Sequence, residues 1–201
     1  MIARERAAGL YHLSAYYISK LASEMPLLLV LPVINVTISY WMTGIDNSFL
    51  AYFGFVWINI SCTFAGQAIG LAVGATFKRM RVALSATTVT AMAMGLVAGF
   101  YIRTLPVYVY WAQYISLFKY GLASAADLLF PADAIYPCVT ADSYAVCPAP
   151  GSYITGRQIL DYNNVTGDFA FNFLMIWVFW LVFSVLAYLS LRFLSKDNEA
   201  I

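Results

Sequence analysis

The sequence predicts an all-α fold, that of a polytopic helical membrane protein. Of the 201 residues, 62% are hydrophobic and only 10% are charged, whereas a soluble domain carries about 25% charged residues. Four uncharged runs are also long enough to cross the hydrocarbon layer of a bilayer as helices. Because so few polar side chains could not coat a soluble globule, we interpret the chain as an integral membrane protein.

The amino-terminal segment, residues 1–24, differs from the runs that follow it. It carries charged side chains, such as Arg4 and Lys20, and between them apolar residues recur at spacings of three or four. This pattern is typical of an amphipathic helix. We expect this helix to lie on the membrane surface, with its apolar face in the interface and its charges in water.

Four transmembrane helices are predicted from the uncharged runs, at residues 25–43, 49–77, 82–102 and 169–191. In the first helix, Pro26 suits the first turn and Pro32 predicts a kink, because proline lacks the backbone N–H. In the second helix, glycines at every fourth position predict a smooth face against which another helix packs closely. These glycines are Gly66, Gly70 and Gly74.

The connection between the third and fourth spans, residues 103–168, contains a shorter uncharged run from Thr104 to Phe118. As a helix this run would reach about 22 Å, which is short of the roughly 30 Å hydrocarbon layer. It is rich in tyrosine and tryptophan, whose rings prefer the headgroup level. We therefore predict a re-entrant helical segment within an extracellular loop.

The distribution of positive charge sets the expected orientation. With cytoplasmic N- and C-termini and four spans, eight of the eleven Lys and Arg residues are cytoplasmic, as the positive-inside bias requires. A fifth span would move Arg192 and Lys196 outside and would place Cys138 and Cys147 in the reducing cytosol. We therefore predict an extracellular disulfide between Cys138 and Cys147, in a protein of the plasma membrane.

Several function classes are excluded by what the sequence lacks. There is one histidine, and none of the HExxH, GxSxG, CxxC or GxxxxGK[ST] patterns occurs, so we expect no catalytic group and no metal site. The net charge of +1 without a long basic run predicts no nucleic-acid partner. Polar side chains inside the predicted spans are neutral, whereas ion-driven carriers hold charged residues at mid-membrane. Energy for any transport would therefore come from elsewhere.

Several stretches resemble, in the same order, the membrane domain of the G-subfamily (White-type) ABC transporters. They are ERAAGLY at 5–11, EMP at 24–26, YWMTG at 40–44, GFY at 99–101, WAQYIS at 111–116, KYG at 119–121 and LAYLSLR at 186–192. The resemblance runs from about residue 4 to about residue 194. The form YISLFKYG is more similar to the half-size transporters than to the full-size ones.

The resemblance implies that the chain is the C-terminal part of an ABC-2 type membrane domain, with spans three to six after a coupling segment. Spans one and two and the ATPase domain, which binds ATP and Mg²⁺, would lie outside this sequence, so the chain alone would bind no cofactor and catalyse no reaction. Two half-transporters would pair as a homodimer or a heterodimer. Lipids, sterols or hydrophobic small molecules would then leave the cytoplasmic leaflet through a cavity between them. The alternative is a non-transporting membrane scaffold or a truncated lipid-binding product.

The resemblance also implies a substrate cavity on one face of the third span. The residues that would line it are Thr88, Val89, Met92 and Gly95. They fall at helical spacing on one side of the helix. The alternative is that these side chains only pack against neighbouring helices.

Two pairs of residues match functional positions at the two ends of the family's membrane domain. Glu5 and Arg6 would contact the ATPase domain as part of the coupling segment. Phe100 and Tyr101 would close the cavity as an extracellular gate, where drug exporters of the family carry smaller aliphatic residues. The alternative for these two rings is that they only anchor the span at the membrane interface.

The glycosylation pattern N-x-[ST] occurs at Asn35, Asn59 and Asn164. The first two matches lie inside predicted spans, where no glycan can be attached. Asn164 is the remaining candidate, on the outer side. The alternative is that it lies too close to the following span, which begins at Phe169, to be modified.

Overall fold

A computed structural model describes residues 13–44, 48–77, 79–99, 110–137, 151–163, 165 and 168–197, with the backbone alone at 13–17, 20–21 and 191–197. Its helices are α1 (Leu13–Thr43), α2 (Phe49–Thr76), α3 (Met80–Val97), α4 (Leu117–Leu129), α5 (Gly156–Tyr162) and α6 (Phe169–Asp197). A 3₁₀ helix covers Tyr110–Ile115, and two strands are β1 (Ile135–Pro137) and β2 (Tyr153–Thr155). Helices α1, α2, α3 and α6 are long and apolar enough to cross a membrane, which confirms the predicted fold class.

Helix α1 is continuous from Leu13 to Thr43, so no break in the helix marks the predicted boundary between the surface segment and the span at residue 25. No glycine or proline precedes Pro26 in this helix, and nothing else there breaks it. Pro26 therefore lies in the helix interior rather than in the first turn, a position that membrane helices tolerate.

The same continuity places a charged residue where the sequence predicted only neutral ones. By length and hydropathy, the candidate membrane span of α1 begins at Ala22 and so includes Glu24. The amide Nε2 atom of Gln67 on α2 donates a hydrogen bond of 2.6 Å to Glu24 Oε2. A carboxylate in this position is accommodated because a polar partner on the neighbouring helix faces it.

Helix α2 is the centre of the bundle. It packs most extensively against α6 and also contacts α1, α3 and α4. The buried core consists of Ala65, Ile69, Leu117, Tyr120 and Ile176. These residues come from α2, α4 and α6, so the core lies where those three helices meet.

Helix α3 is shorter than predicted and lies at the edge of the bundle. It ends at Val97 rather than at Ile102, because Gly99 adopts a φ of +95°. A positive φ is incompatible with an α-helix and is disfavoured for residues other than glycine, so it commonly marks a helix end. None of the residues of α3, all of which the structure describes, is buried.

The 3₁₀ helix and α4 correspond to the predicted re-entrant segment, but α4 continues to Leu129, beyond its predicted end. Strands β1 and β2 pair antiparallel, with Ile135 opposite Thr155, and were not predicted. Gly156 follows β2 at a point of close approach, because a Cβ atom there would overlap the carbonyl oxygen of Pro131.

The glycine stripe of α2 does not form the close helix contact that its spacing predicted. A Cβ atom added at Gly66 or Gly74 would meet no described atom within 4 Å, and one at Gly70 would make only an ordinary contact with Thr87. The close approaches lie elsewhere: a Cβ atom at Gly54 would come within 2.8 Å of Leu128, and one at Gly121 within 2.8 Å of Cys62. Both are contacts between α2 and α4.

Candidate functional site

A cavity of about 990 Å³ lies between α2, the C-terminal half of α3, and α4. Its volume is at the upper end of the range of small-molecule sites, roughly 300–1,000 Å³. From α2 the lining residues are Phe55, Ile58, Asn59, Cys62 and Gly66, and from the end of α3 they are Met92, Gly95, Leu96 and Ala98. From α4 they are Leu117, Phe118, Gly121, Leu122, Ala125, Ala126 and Leu129, followed by Phe130 directly after the helix and by Asn163.

The cavity exists because small residues line the space between α3 and the rest of the bundle. Gly66 and Gly95 face open space, with no described atom within 4 Å of the Cβ position. Ala125 and Ala126 line the opposite wall. Larger side chains at these positions would occupy the space that a ligand would fill.

The chemistry of the lining is apolar with two amides. Asn59 Nδ2 donates to the carbonyl oxygen of Phe55 at 2.9 Å, and Asn163 Nδ2 donates to that of Ile159 at 2.9 Å. With the amino groups occupied in this way, the amide oxygens can accept a hydrogen bond from a ligand hydroxyl. None of the described lining residues carries a formal charge, so the cavity suits a neutral, largely apolar molecule.

Two buried polar side chains in and directly after the 3₁₀ helix lie close to the end of α3, next to the residues that line the cavity. Ser116 is 1% exposed, and its hydroxyl donates to the carbonyl oxygen of Met94 at 2.7 Å. Gln113 is also buried, and its Nε2 atom lies 3.9 Å from the position of a Cβ atom at Gly99. The segment is thus attached directly to the end of α3.

The outer surface of this segment carries a cluster of aromatic residues around a cation. Lys119 Nζ lies 3.9 Å from the ring centroid of Tyr114, whose ring meets that of Tyr110 edge to face. Burial lowers the pKa of Lys119, and the hydrogen bond that the Tyr114 hydroxyl donates to Tyr110 raises the pKa of Tyr114. The attraction between the ammonium group and the ring face holds the 3₁₀ helix against the start of α4.

Residues 1–130 match the family described as ABC-2 type transporter, which is more than half of the chain. The chain belongs to the ABC-2 type transporter family. Within this family it is similar to ABC transporter G family member 21 of Arabidopsis thaliana, with 30% identity over 96% of this chain. It is also similar to ABC transporter ATP-binding protein/permease wht-1 of Caenorhabditis elegans, with 27% identity over 98%, and to Protein white of Drosophila melanogaster, with 26% identity over 98%.

The chain spans less than a third of the length of these ABC-2 relatives: 27% of the Arabidopsis protein, 30% of the C. elegans protein and 28% of the Drosophila protein. The similarity to G-subfamily and White-type proteins confirms the family that the sequence motifs indicated.

The structure separates the four residues predicted to line an ABC-2 substrate cavity. Met92 and Gly95 line the cavity described above. Thr88 and Val89 are not among its described lining residues: Thr88 is exposed and its hydroxyl donates to the carbonyl oxygen of Leu84 at 2.9 Å, and Val89 is 66% exposed. All four residues share one side of α3, but Thr88 and Val89 come about one turn earlier in the helix and lie outside the described lining of the cavity.

The other predicted sites lie outside the described residues. They are Glu5 and Arg6 of the coupling segment, Phe100 and Tyr101 of the gate, Cys138 and Cys147 of the disulfide, and Asn164 of the glycosylation pattern.

Sequence reasoning missed the contribution of α4 to the cavity of this ABC-2 chain. Leu122, Ala125, Ala126 and Leu129 recur at spacings of three and four, which is the pattern of one helical face. That periodicity would have identified α4 as a helix with a second apolar face in addition to its core-facing side.

Proposed function

We propose that the chain is the membrane-spanning part of an ATP-driven exporter that moves lipids, sterols or other hydrophobic small molecules out of the cytoplasmic leaflet. The observation that supports the proposal is the apolar cavity of about 990 Å³ between α2, α3 and α4. Membership of the ABC-2 type transporter family supports the proposed transport function. The apolar lining of the cavity supports the proposed chemical class of the transported molecule.

The cavity favours a molecule with an apolar body and a small polar end. Burying apolar surface contributes about 25 cal/mol per Å², so an apolar body accounts for most of the binding free energy. The amide oxygen of Asn59 or Asn163 can accept a hydrogen bond from a single hydroxyl group, which would set the orientation of the ligand.

We place the exit of the ligand at the end of α3. The hydrogen bond from Ser116 to the carbonyl oxygen of Met94 supports the proposal that the predicted re-entrant segment acts as a cap at this point. In the proposed mechanism Phe100 and Tyr101, which follow Gly99 in the sequence, form the gate under that cap.

The energy would come from an ATPase domain that binds ATP and Mg²⁺, and Glu5 and Arg6 would transmit its movement. The C. elegans relative is named as an ATP-binding protein/permease, which supports such a partner. In this proposal two half-transporters pair, both termini are cytoplasmic at the plasma membrane, and Cys138 and Cys147 form a disulfide on the outer side near Asn164, the candidate glycosylation site.

A pair of glycine substitutions tests the proposed binding site. Gly95 lines the cavity and Gly74 does not, yet both Cβ positions face open space, so Gly95→Leu and Gly74→Leu should both fold. The chain in lipid nanodiscs would be titrated with two probes, dehydroergosterol and a fluorescent phosphatidylcholine. Gly95→Leu should weaken binding of the preferred probe about tenfold or more, which corresponds to about 1.4 kcal/mol, and Gly74→Leu should leave it unchanged.

Equal binding by both variants would contradict the assignment of the cavity. Transport itself is tested in cells that express the full product of the gene, by ATP-dependent loss of the bound probe from the membrane. Binding without such loss would favour the alternative, a lipid-binding scaffold.

A further inference from the structure

Two buried polar atoms have no hydrogen-bond partner in the described part of the chain: Ser124 Oγ and Asp127 Oδ2. Ser124 is 0% exposed. Both residues lie on α4, where Leu117, Tyr120, Ser124 and Asp127 follow at spacings of three and four and so share one face. Leu117 and Tyr120 on this face belong to the core shared with α6.

The facing end of α6 adds a second carboxylate and an amide. The rings of Tyr120 and Phe179 lie 5.7 Å apart, and the charge of Asp168 acts on Asp127, so α4 runs antiparallel to the first half of α6. Asn172 is 2% exposed, and its backbone N–H donates to the carbonyl oxygen of Asp168 at 3.1 Å. Two carboxyl groups thus lie at the corner where α4 ends and α6 begins.

Among the side chains that the structure describes on α2, α4 and α6, no positive charge lies beside these two carboxyl groups. The sequence of α2 contains only Tyr52 and Cys62 as titratable residues, and residues 169–190 of α6 contain only Tyr188. On α4 itself, Lys119 lies eight residues before Asp127, which is about 12 Å along the helix. Arg81 is the charged residue of α3, in its first turn, and Tyr110 and Tyr114 are the titratable residues of the 3₁₀ helix.

The remaining charged residues near this corner belong to the turn before β1 and to α5. Asp133, Arg157 and Asp161 are all exposed, as is Asp168, so solvent screens part of each of these charges. An ionised Asp127 would therefore be partly desolvated next to Asp168 without a compensating donor, and both burial and the charge of Asp168 raise the pKa of Asp127.

We propose that Asp127 is a proton-controlled lock between α4 and α6. When it is protonated, its carboxyl group donates a hydrogen bond inside the corner and keeps α4 packed. When it is ionised, the carboxylate turns toward water and the packing of α4 against α6 loosens. Ser124 Oγ, about one turn away on the same face and itself without a described partner, is available as an acceptor. Because α4 forms one wall of the cavity, the lock would also regulate ligand binding, and that consequence rests on the proposed function.

The direction of the pH dependence follows from linkage. The pKa of Asp127 is raised in the folded state, so the folded chain binds this proton more tightly than the unfolded chain does. The contribution of Asp127 to stability is therefore most favourable below the unfolded pKa of about 3.9. It declines as the pH rises through the folded pKa.

The test uses thermal unfolding of the full chain in nanodiscs between pH 4 and pH 8, without ligand, followed by tryptophan fluorescence. Asp127→Asn keeps the shape of the protonated carboxyl group and cannot ionise. Its melting temperature should equal that of the wild type at pH 4 and exceed it by a few degrees at pH 8. The matched control is Asp133→Asn, an exposed aspartate on the neighbouring turn, which should show no such pH-dependent difference.

A second variant tests the lock without altering Asp127. Asp168→Asn removes the neighbouring negative charge and so lowers the folded pKa of Asp127 toward its unfolded value; the total loss of stability between pH 4 and pH 8 should therefore be smaller than in the wild type. The lock is rejected if the difference between Asp127→Asn and the wild type is the same at every pH, or if Asp168→Asn leaves the profile unchanged. It is also rejected if millimolar CaCl₂ at pH 8 stabilises the wild type but not Asp127→Asn, because the corner would then be a cation site.

Because these measurements contain no ligand, they do not depend on the outcome of the binding experiment with Gly95→Leu. Probe binding that weakens from pH 5 to pH 8 in the wild type, but stays constant in Asp127→Asn, would extend the lock to the cavity. Constant binding in both proteins would overturn that extension.

Discussion

Helix α3 has the length of a membrane span and helix α4 does not, yet α4 is the helix that is buried. The eighteen residues of α3 include no buried side chain, whereas the thirteen residues of α4 bury Leu117, Tyr120, Ala123 and Ser124. A bilayer solvates an apolar helix about as well as protein does, so a span needs few protein neighbours. A helix too short to span is held in place by its packing.

The comparison assigns different roles to the two walls of the cavity. α4 is a fixed wall, because it belongs to the core with α2 and α6. α3 contacts α2 but contributes few other contacts, so it is the wall that can move when a ligand enters. Substitutions in α4 should therefore affect stability, and substitutions in α3 should affect ligand binding.

The largest effect is expected for Tyr120→Ala. Tyr120 is 4% exposed, packs against Phe179 and donates a hydrogen bond to the carbonyl oxygen of Tyr114. Truncation of such a ring costs about 3 kcal/mol or more, which should appear as a large decrease in melting temperature. Val89→Ala in α3 is the control and should change stability by less than about 0.5 kcal/mol. Similar losses in both variants would show that the two helices are equally packed.

A smaller effect is expected for alanine at two glycines that face the cavity. At Gly121 a Cβ atom would lie 2.8 Å from Cys62 Sγ, so Gly121→Ala should destabilise the chain by about 1 kcal/mol after its gain in helix propensity. At Gly66 no described atom lies within 4 Å, so Gly66→Ala should be neutral or stabilising. Cys62→Ala combined with Gly121→Ala should cost less than the sum of the two single changes, as measured by a double-mutant cycle of thermal unfolding.

The smallest effect is expected for Ser116→Ala, which removes the bond to the carbonyl oxygen of Met94. Loss of one buried hydrogen bond costs about 1 kcal/mol, and amide exchange at the end of α3 should become faster as this contact opens. Thr88→Ala is the control, because the Thr88 hydroxyl bonds only within its own helix. Equal exchange rates in the two variants would argue against a cap attached through Ser116.

The sequence was sufficient to predict the spans because hydropathy and run length are local properties. Helix ends were predicted less well. The end of α3 depends on the φ of +95° at Gly99, and the interior position of Pro26 depends on a helix that already began at or before Leu13. Neither feature can be read from an uncharged run alone.

The site was predicted only in part, because burial depends on neighbours that the sequence does not name. Met92 and Gly95, which helical spacing relates to each other, line the described cavity, and their role in binding a substrate stays a prediction. The opposite wall on α4 and the bond between Glu24 and Gln67 depend on contacts between segments far apart in the chain.

The central claim is that α4 packs directly against α2 and so forms the fixed wall of the cavity. Gly121→Cys tests it most directly, because a Cβ atom at this position would lie 2.8 Å from Cys62 Sγ, close to the separation of these atoms in a disulfide. Cys138→Ser and Cys147→Ser would be included so that no other thiol competes. Gly95→Cys in α3, whose Cβ position has no described atom within 4 Å, is the control.

Under mild oxidation, peptide mass spectrometry should find Cys62 linked to the cysteine introduced at position 121 in most molecules. The control variant should retain a free Cys62. Free thiols at both positions after oxidation of Gly121→Cys, or an equally efficient link from position 95, would contradict the account.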